Sequence, residues 1–235
     1  MLVNVVSGAN RPWPENMEEL TNCTGNWEIY RQIVGDSALI HRLPKWGDRL
    51  RIDGFLKGYQ LAQTLNLPTL QSLSLDTLNG RPALVTQDLN FGQSRLYVSP
   101  NSVYSEQHRQ VELLTGLILY KESVDKFMSP YEQYRYQHKL SQIRDLSQFV
   151  AQMKKKLEEV SLRGVFIGFD AYFFGSDKGE VSSIDYKLMD LDDVTQEETN
   201  SNLDEINWRE FTIALNGFVR KFVIPEKQQE YLAEF

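Results

Sequence analysis

From residue 26 to residue 44, apolar and polar positions alternate in two short runs separated by Gly35-Asp36. β-branched and aromatic residues flanking a turn dipeptide predict two strands in a hairpin. A helix is predicted over 53–65, where Phe55, Tyr59, Leu61, Ala62 and Leu65 form an apolar stripe that stops before Pro68. Alternation returns at 73–78 and 82–89. These two strands are joined by Asn79-Gly80, the strongest hairpin signal in the chain. The first ninety residues therefore read as mainly sheet with one helix.

After Asn90-Phe91-Gly92 the period lengthens. Helices are predicted over 103–126 and over 130–160, the second capped by Ser129 and started by Pro130. Ile143, Leu146, Val150, Met153, Leu157 and Val160 form its buried stripe, which is too short for a coiled coil. Gly164 then opens an apolar hairpin over 165–192, with its turn at Ser176-Asp177-Lys178-Gly179. One arm carries Asp170, and the other ends at Asp190, Asp192 and Asp193. Carboxylates brought together at a strand end suit a divalent metal. Residues 195–205 are polar and read as a loop. A last helix over 206–222 presents Trp208, Phe211, Leu215, Phe218, Val219 and Phe222 on one broad face.

The totals narrow the choices. A chain of 235 residues holds one large domain or two small lobes. No apolar run is long enough to cross a membrane and the N-terminus lacks a signal-peptide pattern, so the expected location is the cytoplasm. The single Cys23 and the lack of CxxC or HExxH spacing set aside a disulfide scaffold and structural zinc. A net charge of −7 argues against broad nucleic-acid binding. Arg42, Lys45, Arg49 and Arg51 nevertheless cluster, whereas Lys154-Lys155-Lys156 reads as a solvated helix face.

This order of elements resembles the protein-kinase-like fold, nearest to the branch of aminoglycoside and choline phosphotransferases. Three passages carry the likeness. ALIHRLPKWGDRL resembles the strand with the phosphate-binding cation and the helix after it, LNGRPALVTQDL the hairpin leading to the hinge, and MDLDDV the metal-binding strand end. The resemblance implies an α+β, two-lobed fold, with a sheet-rich N-terminal lobe over 1–90 and a mainly helical C-terminal lobe over 91–235 that carries the hairpin.

It also implies ATP and Mg²⁺ as cofactors. Arg42 would stand in the cation position, Gln87, Asp88 and Leu89 near adenine, and Asp190 with Asp192 at the metal. Asp170 would be the catalytic Asp of the loop, acting as base, or it would replace the metal-binding Asn while Val165 takes the base position. The departures matter: there is no glycine-rich loop beyond Gly35, no strand Lys, and no acid from Phe55 to Gln63. The expectation is a pseudokinase-like module that binds a nucleotide or a protein partner with weak or absent turnover. An active ATP-dependent phosphotransferase and an unrelated α+β interaction protein stand as the alternatives.

Overall fold

The computed structural model describes residues 14, 16–21, 27–45, 49–99, 140–197 and 202–232. The helix expected over 103–126 lies outside these, as do Cys23, His108, His138, Ser129 and the start of the second expected helix. The fold is mixed α/β, with one sheet-rich unit and one that combines helices with sheet.

The first unit includes 1–53 and 70–93. Its five-stranded sheet runs β1-β2-β3-β5-β4, made from β1 (Met17–Thr21), β2 (Trp27–Val34), β3 (Ser37–Pro44), β4 (Leu73–Leu78) and β5 (Arg81–Gln87). Every neighbour is antiparallel. Both expected hairpins form. Val34 pairs with Ser37 around Gly35, whose φ is 60°, and Leu78 pairs with Arg81 around Asn79 and Gly80, at φ 47° and 77°. Two successive positive φ angles are what a type I′ turn needs, which is why Asn-Gly stands there. Leu43, Leu78 and Ala83 form an apolar centre covered by Met17 and Tyr30. Arg81 grips Glu28 with two hydrogen bonds of 2.7 and 3.0 Å, and this pairing holds the Glu28 carboxyl below its ordinary range.

Helix α1 (Arg49–Thr64) begins four residues earlier than expected and buries Ile52 in addition to Phe55 and Ala62. The division between units falls within it, after Asp53.

The second unit includes 54–69, 94–102 and 132–235. Here β6 (Arg95–Val98), β9 (Tyr172–Asp177), β10 (Val181–Leu188) and β7 (Gln142–Arg144) make a four-stranded sheet in the order β6-β9-β10-β7. Helix α2 covers Leu146–Ser161, α3 covers Leu203–Phe222 and α4 covers Pro225–Tyr231. Six aromatic rings fill the centre. Phe149, Tyr172, Phe174, Tyr186, Phe211 and Phe218 lie in pairs with centroids 5.4–6.4 Å apart. At that spacing edge and offset contacts add to area burial.

Three expectations are corrected in this unit. Within the described part of the helix expected over 130–160, Gln142–Arg144 is instead a strand paired in parallel with Val181–Ser183, Asp145 turns the chain at φ 56°, and α2 follows from Leu146. The hairpin is shorter than 165–192, since β9 and β10 alone form it and Ser176 and Asp177 lie in the strand rather than the turn. Val165–Ile167 is a separate strand, β8, paired with Val194–Gln196 as β11, so the polar segment after Val194 starts as sheet and not as loop. Trp208 lies half-buried against Phe211, as its place on the broad face of the last helix implies, and its ring carries Lys154 at 5.7 Å. The end of the chain adds α4, which lacked an apolar stripe to announce it. Gln228 donates to the carbonyls of Arg220 and Val223 at 2.9 and 3.0 Å, satisfying the end of α3.

Candidate functional site

The open end of the β9–β10 hairpin gathers the acids. Tyr172 pairs with Leu188, and the register continues through the Met189 N–H, which donates to the Ala171 carbonyl at 2.9 Å. The next position outward on each arm is Asp170 and Asp190. Two 3-10 turns follow, Phe169–Ala171 and Leu191–Asp193, and the Gly168 N–H donates to the Asp193 carbonyl at 2.9 Å to tie them together. Asp170, Asp190, Asp192 and Asp193 are all half-buried there. The hairpin thus brings together the acids that the sequence singled out. Among the described residues, however, no three His, Cys, Asp or Glu side chains are placed to hold a metal ion.

Two walls hold this end so closely that they exclude side chains. A Cβ on Gly168 would lie 3.2 Å from the Cβ of Asp193 and 3.3 Å from its carboxylate. A Cβ on Gly58 of α1 would lie 1.7 Å from the Leu191 carbonyl oxygen, and one on Gly54 would touch Asp192 at 3.8 Å. The helix backbone therefore lies directly on the acid-bearing turn. Spacing of four residues puts both glycines on one face of α1. The expected absence of an acid holds from Phe55 to Gln63, but α1 starts early enough to include Asp53, which is exposed; the close approach at Gly58 was not foreseen, although the pattern GFLKG signals it.

Helix α3 holds the other side. Asn207 is fully buried and accepts from the Ile167 N–H at 2.8 Å while donating to the Val165 carbonyl at 2.8 Å and to Ser161 Oγ at 2.9 Å. One side-chain amide thus does for the edge of β8 what a neighbouring strand would do. Glu210 accepts from the Phe169 N–H at 3.3 Å. The loop carrying Asp170 is thereby fixed from α3 at two points. Lys221, in the last turn of α3, is held to a pKa of about 8 by burial, opposed in part by the charge of Asp170. None of Asn207, Glu210 and Lys221 was foreseen, although polar residues on the apolar face of 206–222 mark two of them. Val165, the base position in one reading of the loop, is a buried strand residue paired with Gln196.

The remaining candidates belong to the first unit and are described there alone. Arg42, expected in the cation position, is on the central strand β3, between Ile29 and Leu84, and only 6% exposed. His41 is buried beside it and shares a 3.1 Å hydrogen bond with Gln32 through Nε2. Neighbours on a strand point to opposite faces, so the burial of both means that β3 is covered on both faces here. Gln87 closes β5 opposite Leu39 and is exposed, and Leu89 is half-buried. The Asp88 N–H donates to the Ala38 carbonyl at 2.8 Å, and its carboxylate accepts from Arg31 at 2.7 Å and from the Asn90 N–H at 2.8 Å. Asp88 is thus a buried ionic anchor across the sheet, with its main-chain donor already used in the ladder.

No family model and no curated protein matches the sequence. Among solved structures, a chain described as WaaP in complex with acyl carrier protein matches with a TM-score of 0.40 and 8% identity, over 91% of this chain and 76% of that one. A likeness at that level assigns no role to any residue here. No described helix is long and apolar enough to cross a membrane.

Proposed function

We propose that this chain is a divergent, two-lobed kinase-like scaffold that serves as a binding module for a nucleotide or a protein, with phosphotransferase activity weak or absent. The observation that carries this reading is the contact of α1 with the acid-bearing turn. Phosphoryl transfer by kinases needs a strand cation oriented by an acid on the helix that follows that strand. The face that α1 turns to Leu191–Asp193 is glycine, and at Gly58 even a methyl group would meet a backbone oxygen at 1.7 Å. Gly58 cannot carry an acid without a shift of the backbone, the one acid of α1, Asp53, is exposed, and the strand offers His41 and Arg42 in place of lysine. Arginine is not equivalent to lysine at such a position, because its planar fork directs its donors differently.

Further support comes from the run of two hairpins around one helix and from Asp190 at the end of β10. With no three-acid group among the described residues, a metal held by protein side chains alone is not supported. Magnesium commonly takes only one or two carboxylates and completes its shell with phosphates and water. Asp190 and Asp192 would supply those carboxylates, with Asp170 beside them, and the nucleotide phosphates would supply the rest.

The test is a thermal melt with ATP, with Mg²⁺ and with both, alongside a phosphoryl-transfer assay. The expected result is stabilisation by ATP with Mg²⁺, loss of the Mg²⁺ dependence in Asp190→Ala, and turnover far below the roughly 1–100 s⁻¹ of active kinases. Turnover within that range would replace this reading with an active phosphotransferase. Stabilisation by neither ATP nor Mg²⁺ would remove the nucleotide and leave a protein-interaction role.

A further inference from the structure

In the second unit, β10 has a gap in its pairing. On the edge away from β9, Val181–Ser183 pairs in parallel with β7, and Leu188 forms a parallel bridge with Thr69. Between these stations residues 184–187 have no ladder partner among the described residues. Leu188 turns both of its main-chain groups to this edge, since its N–H donates to the Pro68 carbonyl at 2.8 Å and its carbonyl accepts from Thr69 Oγ1 at 2.7 Å. Alternation along a strand brings the N–H and carbonyl of Tyr186 to the same edge. A groove of about 630 Å³ runs along this gap, and Gln148, Phe149 and Gln152 of α2 form its far wall.

Its volume is within the range of small-ligand pockets, and its lining sets the rings of Tyr97, Phe149 and Tyr186 among polar and charged side chains. Phe149 and Tyr186, with ring centroids 6.4 Å apart, supply flat apolar surface, while Gln148, Gln152 and Asn66 bring amides that can both donate and accept. Five charged side chains line it: Asp185 accepts from Tyr97 at 3.2 Å and pairs with Arg95 at 3.2 Å, Lys156 donates to the Leu65 carbonyl at 3.1 Å, Lys187 lies over the Tyr97 ring at 5.3 Å, and Arg144 and Asp145 are exposed.

Length decides what fits. The stations at Ser183 and Leu188 are five residues apart, or roughly 17 Å at strand rise. A peptide strand laid along the edge would run into β7 at one end and into Pro68–Thr69 at the other. A flat heterocycle can instead lie edge-on to the main chain of Tyr186, trading one donor and one acceptor with it.

We infer that the gap beside β10 is a binding site for a small planar nitrogen heterocycle of nucleobase or nucleoside type, read by the main chain at Tyr186 and the amides of Gln148 and Gln152. This site is separate from the acid-bearing end of the hairpin and does not rest on the kinase-like reading. The test is titration of the ¹⁵N-labelled full chain with adenosine, guanosine and cytidine, followed by AMP. Adenosine or guanosine is expected to shift the amide signals of Tyr186, Gln148 and Gln152, and AMP to do so to a similar extent. Gln152→Trp, which fills the groove from an exposed helix position, is expected to weaken binding by roughly tenfold or more while its melting temperature stays near that of the parent. Asp190→Ala is expected to leave the titration unchanged. Unchanged spectra with all three nucleosides at millimolar concentration would overturn the inference, as would shifts confined to Gln87–Leu89. Saturation by a strand-forming hexapeptide with the nucleosides inert would overturn it in favour of strand addition.

Discussion

At the residue scale, Gly58 shows how one missing side chain can set the position of a helix. An added methyl 1.7 Å from the Leu191 carbonyl oxygen cannot be absorbed by a rotamer change, so α1 or the turn must move. Overpacking of this kind typically costs about 1–3 kcal/mol, sometimes more. Gly58→Ala should therefore melt clearly below the parent, whereas Gly54→Ala, with its nearest contact at 3.8 Å, should change little. Lys221 tests the same region through charge. Its folded pKa of about 8 lies below the ordinary lysine value, so between about pH 8 and pH 10.4 the unfolded chain holds more protons and stability rises with pH. Lys221→Met should raise stability at neutral pH and flatten that rise, as read from urea midpoints across the range. His41 has the same sign in a more acidic window. Burial lowers its pKa despite the opposing charge of Asp76, so the unfolded chain gains its proton first as pH falls below about 6.5. Stability should drop on acidification through that point, and His41→Leu should lose part of the drop.

At the scale of elements, short strands depend on side chains that complete their hydrogen bonding. β8 has three residues and one strand partner, β11. Its other edge is satisfied by Asn207, so Asn207→Ala would leave the Ile167 N–H and the Val165 carbonyl buried without partners. Each such orphan costs about 1–3 kcal/mol. The expected outcome is a large loss of stability together with faster hydrogen exchange at Ile167 and Phe169, which separates a loosened loop from a general weakening. The buried pair of Arg31 and Asp88 works similarly in the first sheet, where it reaches from β2 across β3 to the end of β5. Arg31 also pairs with the exposed Glu18 at 3.5 Å, so removing Asp88 takes away its buried partner without stranding the charge, at a cost below the roughly 3–5 kcal/mol of a fully broken buried pair. Asp88→Ala should accordingly destabilise that unit by less than this, as measured by chemical denaturation.

At the scale of the whole molecule, the second unit is organised around its aromatic centre. Phe211 touches four other rings and is fully buried, so Phe211→Ala should cost about 3–5 kcal/mol, and the slowest amide exchange in that unit should map to β9, β10 and α3. Much of this architecture was legible in the chain. Both N-terminal hairpins, the helix between them, the core of the β9–β10 hairpin and the last long helix follow from local signals, since alternation, turn dipeptides and apolar stripes depend only on near neighbours. The register that sets Asp170 against Asp190 was not legible, because the turn expected at 176–179 would have set Asp170 against Asp185, whereas Ser176 in fact pairs with Ile184. Tertiary structure alone decided the rest. The strand at Gln142–Arg144 overrides a helical stripe because β10 offers it an edge, and Val165–Ile167 leaves the expected hairpin because β11 and Asn207 complete its bonding. The burial of Arg42 comes from strand order, and the clearance at Gly58 comes from packing between distant segments. Periodicity along a chain tells which face of an element is apolar, but it carries no information about what that face will meet.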